Sequence, residues 1–106
     1  MNNSHFTVCG IVEIDGKVLL VRHTYGTAKG RVLLPGGYVL ECELPTVAVE
    51  REIAEETGVI AKAKSVMAVQ CKLDQWCLVF VMDYNADTYS FCYRYLMKNK
   101  ECFLIQ

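Results

Sequence analysis

Glu52, Glu55 and Glu56 stand at positions i, i+3 and i+4, so on a helix their carboxylates project from one face, with Val49 and Ile53 on a neighbouring face as an apolar anchor. The like-charge Glu52/Glu56 pair would destabilise an isolated helix by roughly 0.2–0.5 kcal/mol, so the cluster asks for a positive partner. Arg51 can reach back to Glu55 or across to Glu43, but a divalent cation accounts for the whole cluster better. Oxygen-only ligands suit Mg²⁺ or Mn²⁺, whereas zinc prefers nitrogen and sulfur. An ion held there would polarise a phosphoryl oxygen, neutralise charge on a leaving phosphate and make a bound water more acidic. These are the needs of pyrophosphate hydrolysis. The Gly36-Gly37 pair adds backbone that can approach metal or phosphate with no Cβ in the way. The plain alternative is an amphipathic helix whose glutamates form a solvated face. It predicts neither the Gly-Gly pair, nor Glu43, nor Gly58 at their distances from the cluster.

The elements that must position these groups can be read from local signals. Pro45 suits the first turn of a helix, where its missing N–H has no partner to lose, and Gly58 suits the left-handed residue that ends one; a helix is expected over 45–57. Upstream, Phe6 to Ile14 and Lys17 to His23 are β-branched and aliphatic runs joined by Asp15-Gly16, which reads as a hairpin. Tyr25 to Arg31 reads as a mobile loop, and Val32 to Leu34 as a strand stub ended by Pro35 and the two glycines, where a special backbone conformation is expected. Ala61 to Leu73 and Trp76 to Tyr84 read as strands joined at Asp74-Gln75. The alternation of Tyr89, Phe91, Tyr93 and Tyr95 suggests another strand, with Lys98 to Glu101 as a turn and Cys102 to Ile105 returning. An exposed aromatic edge at 89–95 would favour a homodimer through these C-terminal strands.

Gly37, Glu43, Arg51, Glu52, Ile53, Glu55, Glu56, Gly58 and Val59 together fit the spacing G-x5-E-x7-R-E-U-x-E-E-x-G-U, with U aliphatic. This resembles the signature of the Nudix hydrolases, and Leu34-Pro35-Gly36-Gly37 looks like that family's entry to its box. The resemblance implies an α+β fold, an α/β/α sandwich around a mixed central sheet, and metal-dependent cleavage of a nucleoside diphosphate linked to another moiety. It further implies that the Gly36 carbonyl, Glu52, Glu55 and Glu56 hold the metal, that Glu52 or Glu55 activates water, with Glu52 preferred, and that Glu43 and Arg51 fix the loop against the helix. Gly37 and Gly58 would be structural parts of the motif, and Arg22 could hold a substrate phosphate. Tyr25, Tyr38 and Trp76 are candidates to stack on a base.

The chain departs from the family at particular points. Cys42 stands where relatives commonly have glycine, and Leu40 where many carry an acid. The resemblance covers about residues 5–84, and 85–106 reads as an atypical tail with no helix after residue 84, so the C-terminal helix of the sandwich is expected to be missing. A fourth acidic ligand often comes from that region, and Asp83, Asp87 and Glu101 are weak replacements. Relatives preferring ADP-ribose tend to carry a proline a short way past the box, and those preferring dinucleoside polyphosphates a tyrosine; neither mark is present. Two functions follow: an active Mg²⁺-dependent (or Mn²⁺-dependent) pyrophosphohydrolase, or a shortened Nudix-like domain that binds a nucleotide or partner without efficient turnover.

Composition narrows the field. With 106 residues, 53% apolar, 22% charged and a net charge of −1, the chain can bury one modest core, reads as a single domain over 1–106, and offers no electrostatic footprint for nucleic acid. Its apolar runs are far short of a membrane span, and its N-terminus lacks the pattern of a secretory signal, so a cytoplasmic protein is expected. The six cysteines form no C-x-x-C pair, and the two histidines lie far apart in sequence. Reduced cysteines acting as small buried hydrophobes are expected.

Overall fold

The computed structural model describes residues 2–24, 29–84, 96–97 and 100–105. Among them it holds one helix, α1 (Pro45–Thr57), and nine strands: β1 (Asn2–Ile11), β2 (Glu13–Ile14), β3 (Lys17–His23), β4 (Val32–Leu33), β5 (Gly36–Leu40), β6 (Ala61–Lys72), β7 (Gln75–Tyr84), β8 (Leu96–Met97) and β9 (Lys100–Ile105). A mixed sheet runs β5-β1-β7-β6, with β1 and β7 parallel and the other pairs antiparallel. The second sheet runs β2-β3-β9-β8, with β4 also on β3. The α+β class with a mixed central sheet is therefore as expected.

Local chemistry accounts for the ends of α1. Pro45 opens it after Leu44, whose carbonyl accepts the Ala48 N–H at 2.9 Å. Gly58 closes it in the left-handed region at φ 76°, its N–H donating to Ala54 O at 3.0 Å. Val49 and Ile53 are fully buried, and burying each contributes roughly 1.5–3 kcal/mol. Their helix packs on β5, β6 and β1 of the mixed sheet. Gly10 lies beneath it: a Cβ there would sit 2.7 Å from Ile53 Cδ1 and 2.8 Å from Met82 Cγ. The missing side chain lets the helix lie close on the sheet.

Among the described residues the strand expectations hold with several corrections. The first apolar run is not one strand of a hairpin; it breaks at Val12, leaving β1 in the mixed sheet while β2 turns through Asp15 (φ 53°) and Gly16 (φ 77°) into β3 of the other sheet. The β6–β7 turn lies one residue earlier than expected, at Leu73 and Asp74, both at positive φ. Most consequentially, Gly36 and Gly37 do not end a strand in a special conformation. They begin β5, opposite Cys9 and Val8, and neither has a positive φ. Their lack of a side chain answers to crowding, not to backbone angle.

β9 pairs antiparallel with β3 from Val18↔Ile105 to His23↔Lys100, so the final strand is present and begins at Lys100, inside the stretch expected to turn. The proposed strand and dimer edge at 89–95, Asp87 and Tyr25 lie outside the described residues. β6 is an edge strand with exposed Val66, Met67 and Val69, interrupted by register shifts at Ala63/Ser65 and Val66/Ala68. Such irregularities blunt edge-to-edge pairing. No helix among the described residues is long and apolar enough to cross a membrane.

Cys42, where relatives commonly have glycine, adopts φ 64°, a conformation that costs a residue with a Cβ roughly 1–2 kcal/mol. Glycine removes that strain but widens the unfolded ensemble. Cys42→Gly is therefore expected to stabilise the fold by about 0.5–1 kcal/mol, read as a higher urea midpoint; an unchanged or lower midpoint contradicts the strain.

Candidate active site

α1 lies with its glutamates against the first residues of β5. Glu56 is completely buried, and its Oε1 accepts the Gly36 N–H at 2.8 Å. Glu52 is 7% exposed, and its carboxylate occupies the place where a Gly37 side chain would begin. At Gly36 a Cβ would collide with the Val8 carbonyl on the neighbouring strand. The two glycines thus serve different neighbours: Gly36 lets β5 pair with β1, and Gly37 leaves room for a carboxylate.

Arg51 ties the same two elements together. Its Nε donates to Glu43 Oε2 at 2.8 Å and its Nη2 to Glu43 Oε1 at 3.0 Å, a two-pronged pair, while Nη2 also donates to the Tyr38 carbonyl at 3.2 Å. Glu43 in turn accepts the Leu40 N–H at 2.9 Å, which closes the β5–α1 loop. Arg51 Nη1 lies 3.2 Å from Glu55 Oε1 and 3.4 Å from Glu52 Oε1. Hydrogen bonding from Arg51 holds the Glu43 carboxyl below the usual carboxylate range, outweighing partial desolvation, and the same pair raises Arg51.

The expected convergence of three carboxylates is incomplete in this geometry. Among the described residues no three acidic, histidine or cysteine side chains stand close enough together to hold a metal ion. Glu56 is drawn to the Gly36 N–H, while Glu52 and the 39%-exposed Glu55 side chain lean on Arg51. Like charges on adjacent turns separate onto whichever donors are at hand. The surroundings still fit a hard cation: the donors are all oxygen, two of the carboxylates are buried, and the missing Gly37 Cβ leaves space beside Glu52.

Glu52, Glu56, Gly36 and Gly37 border a cavity of about 800 Å³ that His23 and Arg31 also line. Arg22 is not among the residues lining it; its guanidinium sits 5.0 Å over the Phe103 ring. Strand alternation does not account for this, because Leu20, on the same face of β3 as Arg22, lines the cavity along with Val21 and His23; Arg22 differs in reaching out to Phe103. Neither placement was readable from the sequence: Arg22 is engaged by Phe103 from β9, and Arg31 comes into place through the His23 N–H bond to its carbonyl at 3.1 Å. Tyr38 lines the cavity, whereas Trp76 is not among its lining residues. Asp83 is exposed on β7 opposite Lys62, and the Glu101 side chain lies outside the described residues.

Not all cysteines behave as buried hydrophobes: Cys102 is buried, Cys42 and Cys71 are exposed, and Cys9 and Cys77 are half-buried with their sulfurs 3.8 Å apart. Burial first, and then the neighbouring Cys77, pushes the Cys9 thiol up to about 12.

The NUDIX domain family profile matches residues 1–101. The chain belongs to that family. It is 43% identical over 83 residues to the ADP-ribose pyrophosphatase of Methanocaldococcus jannaschii, an alignment covering 72% of this chain and 48% of that protein, so the chain spans about half that relative's length. Its fold matches a NUDIX hydrolase from Nitrosomonas europaea with TM-score 0.84 at 22% identity, over 99% of this chain and 58% of the other. A MutT NUDIX hydrolase from Burkholderia pseudomallei matches with TM-score 0.72 at 23% identity, over 95% of this chain and 81% of that one. At these identities the structures establish the Nudix fold.

Two outcomes follow from the glycines and the Glu43 pair. Gly37→Ala displaces the flexible end of Glu52 while the fold survives, whereas Gly36→Ala meets backbone and destabilises by about 2 kcal/mol or more; equal urea midpoints for the two variants would refute the distinction. Glu43 has a folded pKa below its unfolded value, so its contribution is full above the ordinary glutamate pKa of about 4.3 and fades as pH falls through the folded value. The stability gap between the wild type and Glu43→Gln should shrink on acidification from neutral pH to below about 4, and a gap independent of pH counts against the pair.

Proposed function

We propose that the chain hydrolyses a pyrophosphate bond in a nucleoside diphosphate linked to a second moiety, with Mg²⁺ (or Mn²⁺) held by the Gly36 carbonyl, Glu52, Glu55 and Glu56. The observation that carries this reading is the placement of the box: two buried carboxylates of α1 face glycine backbone of β5 at the edge of one cavity. Family membership and the Methanocaldococcus relative support it. Because that relative is an ADP-ribose pyrophosphatase, ADP-ribose is the first substrate to test. We take the chain as a single domain over 1–106.

A divalent ion bound here supplies Lewis-acid polarisation of a phosphoryl oxygen and a more acidic water. The chain's own groups do the rest. Glu52, buried beside Gly37, accepts at a carboxylate oxygen the proton of the attacking water, the role of general base. Glu55 is the alternative base and must swing from Arg51 to join the others. Its contact is a part-exposed ion pair at 3.2 Å, worth about 0–1 kcal/mol, so releasing it costs little beside the gain of ligation. Glu56 is held in orientation by the Gly36 N–H. Glu43 and Arg51 keep α1 in register with β5. Arg31, which lines the same cavity, would meet a phosphate, while Arg22 steadies the end of β3 over Phe103.

Glu52→Gln and Glu56→Gln should each lower turnover at least about a hundredfold while leaving the thermal midpoint nearly unchanged, since glutamine still offers an oxygen to the Gly36 N–H. The assay is phosphate-ester release with Mg²⁺ from ADP-ribose, dinucleoside polyphosphates, nucleotide sugars and nucleoside triphosphates. Undiminished turnover in both variants would remove the mechanism. Saturable nucleotide binding with no release from any member of the panel would instead favour a binding domain.

A further inference from the structure

Cys9 on β1 and Cys77 on β7 line the same cavity as Glu52 and Glu56, Cys9 as the register partner of Gly36, and the hydrolase reading gives neither thiol a role. Their sulfurs are 3.8 Å apart. The parallel register sets Cys9 opposite Val79 and Cys77 opposite Thr7, so the two cysteines are diagonal neighbours, two residues out of step on one face. Diagonal Cα atoms in a sheet lie about 7–8 Å apart, at or beyond the reach of a disulfide without backbone movement. A bridging cation has no such difficulty. Two metal–sulfur bonds of about 2.3 Å opened to the tetrahedral angle place the sulfurs about 3.8 Å apart, which is the separation observed.

We propose that Cys9 and Cys77 form a two-thiol site for a thiophilic divalent cation, zinc or its analogue cadmium, on the wall of the candidate active site. The cavity leaves room for water or a phosphate oxygen to complete the coordination. Ligation converts the thiols to thiolates and releases their protons to solvent, with no change of oxidation state. The cavity then sorts cations by hardness: oxygen donors of α1 at one side take magnesium-like ions, and sulfur donors of β1 and β7 take zinc-like ones. An ion at the thiols occupies space the substrate needs and inhibits. That consequence rests on the hydrolase reading; the binding does not.

The test is titration of the reduced full chain with Cd²⁺, followed by the ultraviolet thiolate-to-cadmium charge-transfer band. The expected result is saturation at one Cd²⁺ per chain, a band that excess Mg²⁺ leaves in place and Zn²⁺ removes, loss of the band in both Cys9→Ser and Cys77→Ser, and retention in Cys42→Ser and Cys71→Ser. Because a cysteine variant can misfold, the wild type supplies an independent measurement: Cd²⁺ should protect Cys77, and not Cys71, from alkylation mapped by peptide mass. Retention of the band in either Cys9→Ser or Cys77→Ser, displacement by Mg²⁺, absence of protection, or a Cys9–Cys77 disulfide formed on mild air oxidation would each overturn the proposal. A chain that binds Cd²⁺ at the pair yet hydrolyses nothing in the panel would sustain the site and remove the activity.

Discussion

Two carboxylates of α1 are buried against the backbone of β5, and that close approach is possible only because residues 36 and 37 have no side chains. A buried carboxylate is tolerated where donors meet it. Glu56 meets the Gly36 N–H, and Glu52 lies beside Gly37 within reach of Arg51. If β5 stood farther off to accommodate a Cβ, the Gly36 N–H would withdraw from Glu56 and the antiparallel pairing of Gly36 and Gly37 with Cys9 and Val8 would be strained. Helix, strand and sheet are therefore set by one contact, which also forms an edge of the cavity.

Arg51 is the second fastening, and it has two duties. Its bonds to Glu43 and to the Tyr38 carbonyl join α1 to the loop and strand that precede it. Its other contacts, to Glu52 and Glu55, offset the mutual repulsion of acids on successive turns. A cation at the carboxylates would take over that second duty, while the Glu43 pair would remain to hold the helix. Separating these roles on one side chain allows the glutamates to rearrange without loosening the scaffold.

The cavity combines donors of different chemistry from distant parts of the chain. α1 brings carboxylate oxygen, β1 and β7 bring sulfur, and the chain beyond β3 brings Arg31. None of these is near another in sequence. The mixed sheet assembles them because β1 lies between β5 and β7, so residues 9, 37 and 77 come onto neighbouring strands.

Much of this was legible in the residues alone. Pro45 and Gly58 marked the ends of α1 because a missing N–H and a positive φ are local requirements, and the spacing of Glu52, Glu55 and Glu56 put them on one face for the same local reason. The turn at Asp15-Gly16 was equally self-contained. Tertiary structure decided the rest. It showed Gly36 and Gly37 to be strand residues whose bareness answers to Val8 and Glu52, put Arg31 and not Arg22 on the cavity wall, drew Glu56 to the Gly36 N–H while Glu52 and Glu55 share Arg51, and set Cys9 beside Cys77. Each of these depends on which atoms arrive from elsewhere in the chain, and backbone propensity at a single position carries no record of that.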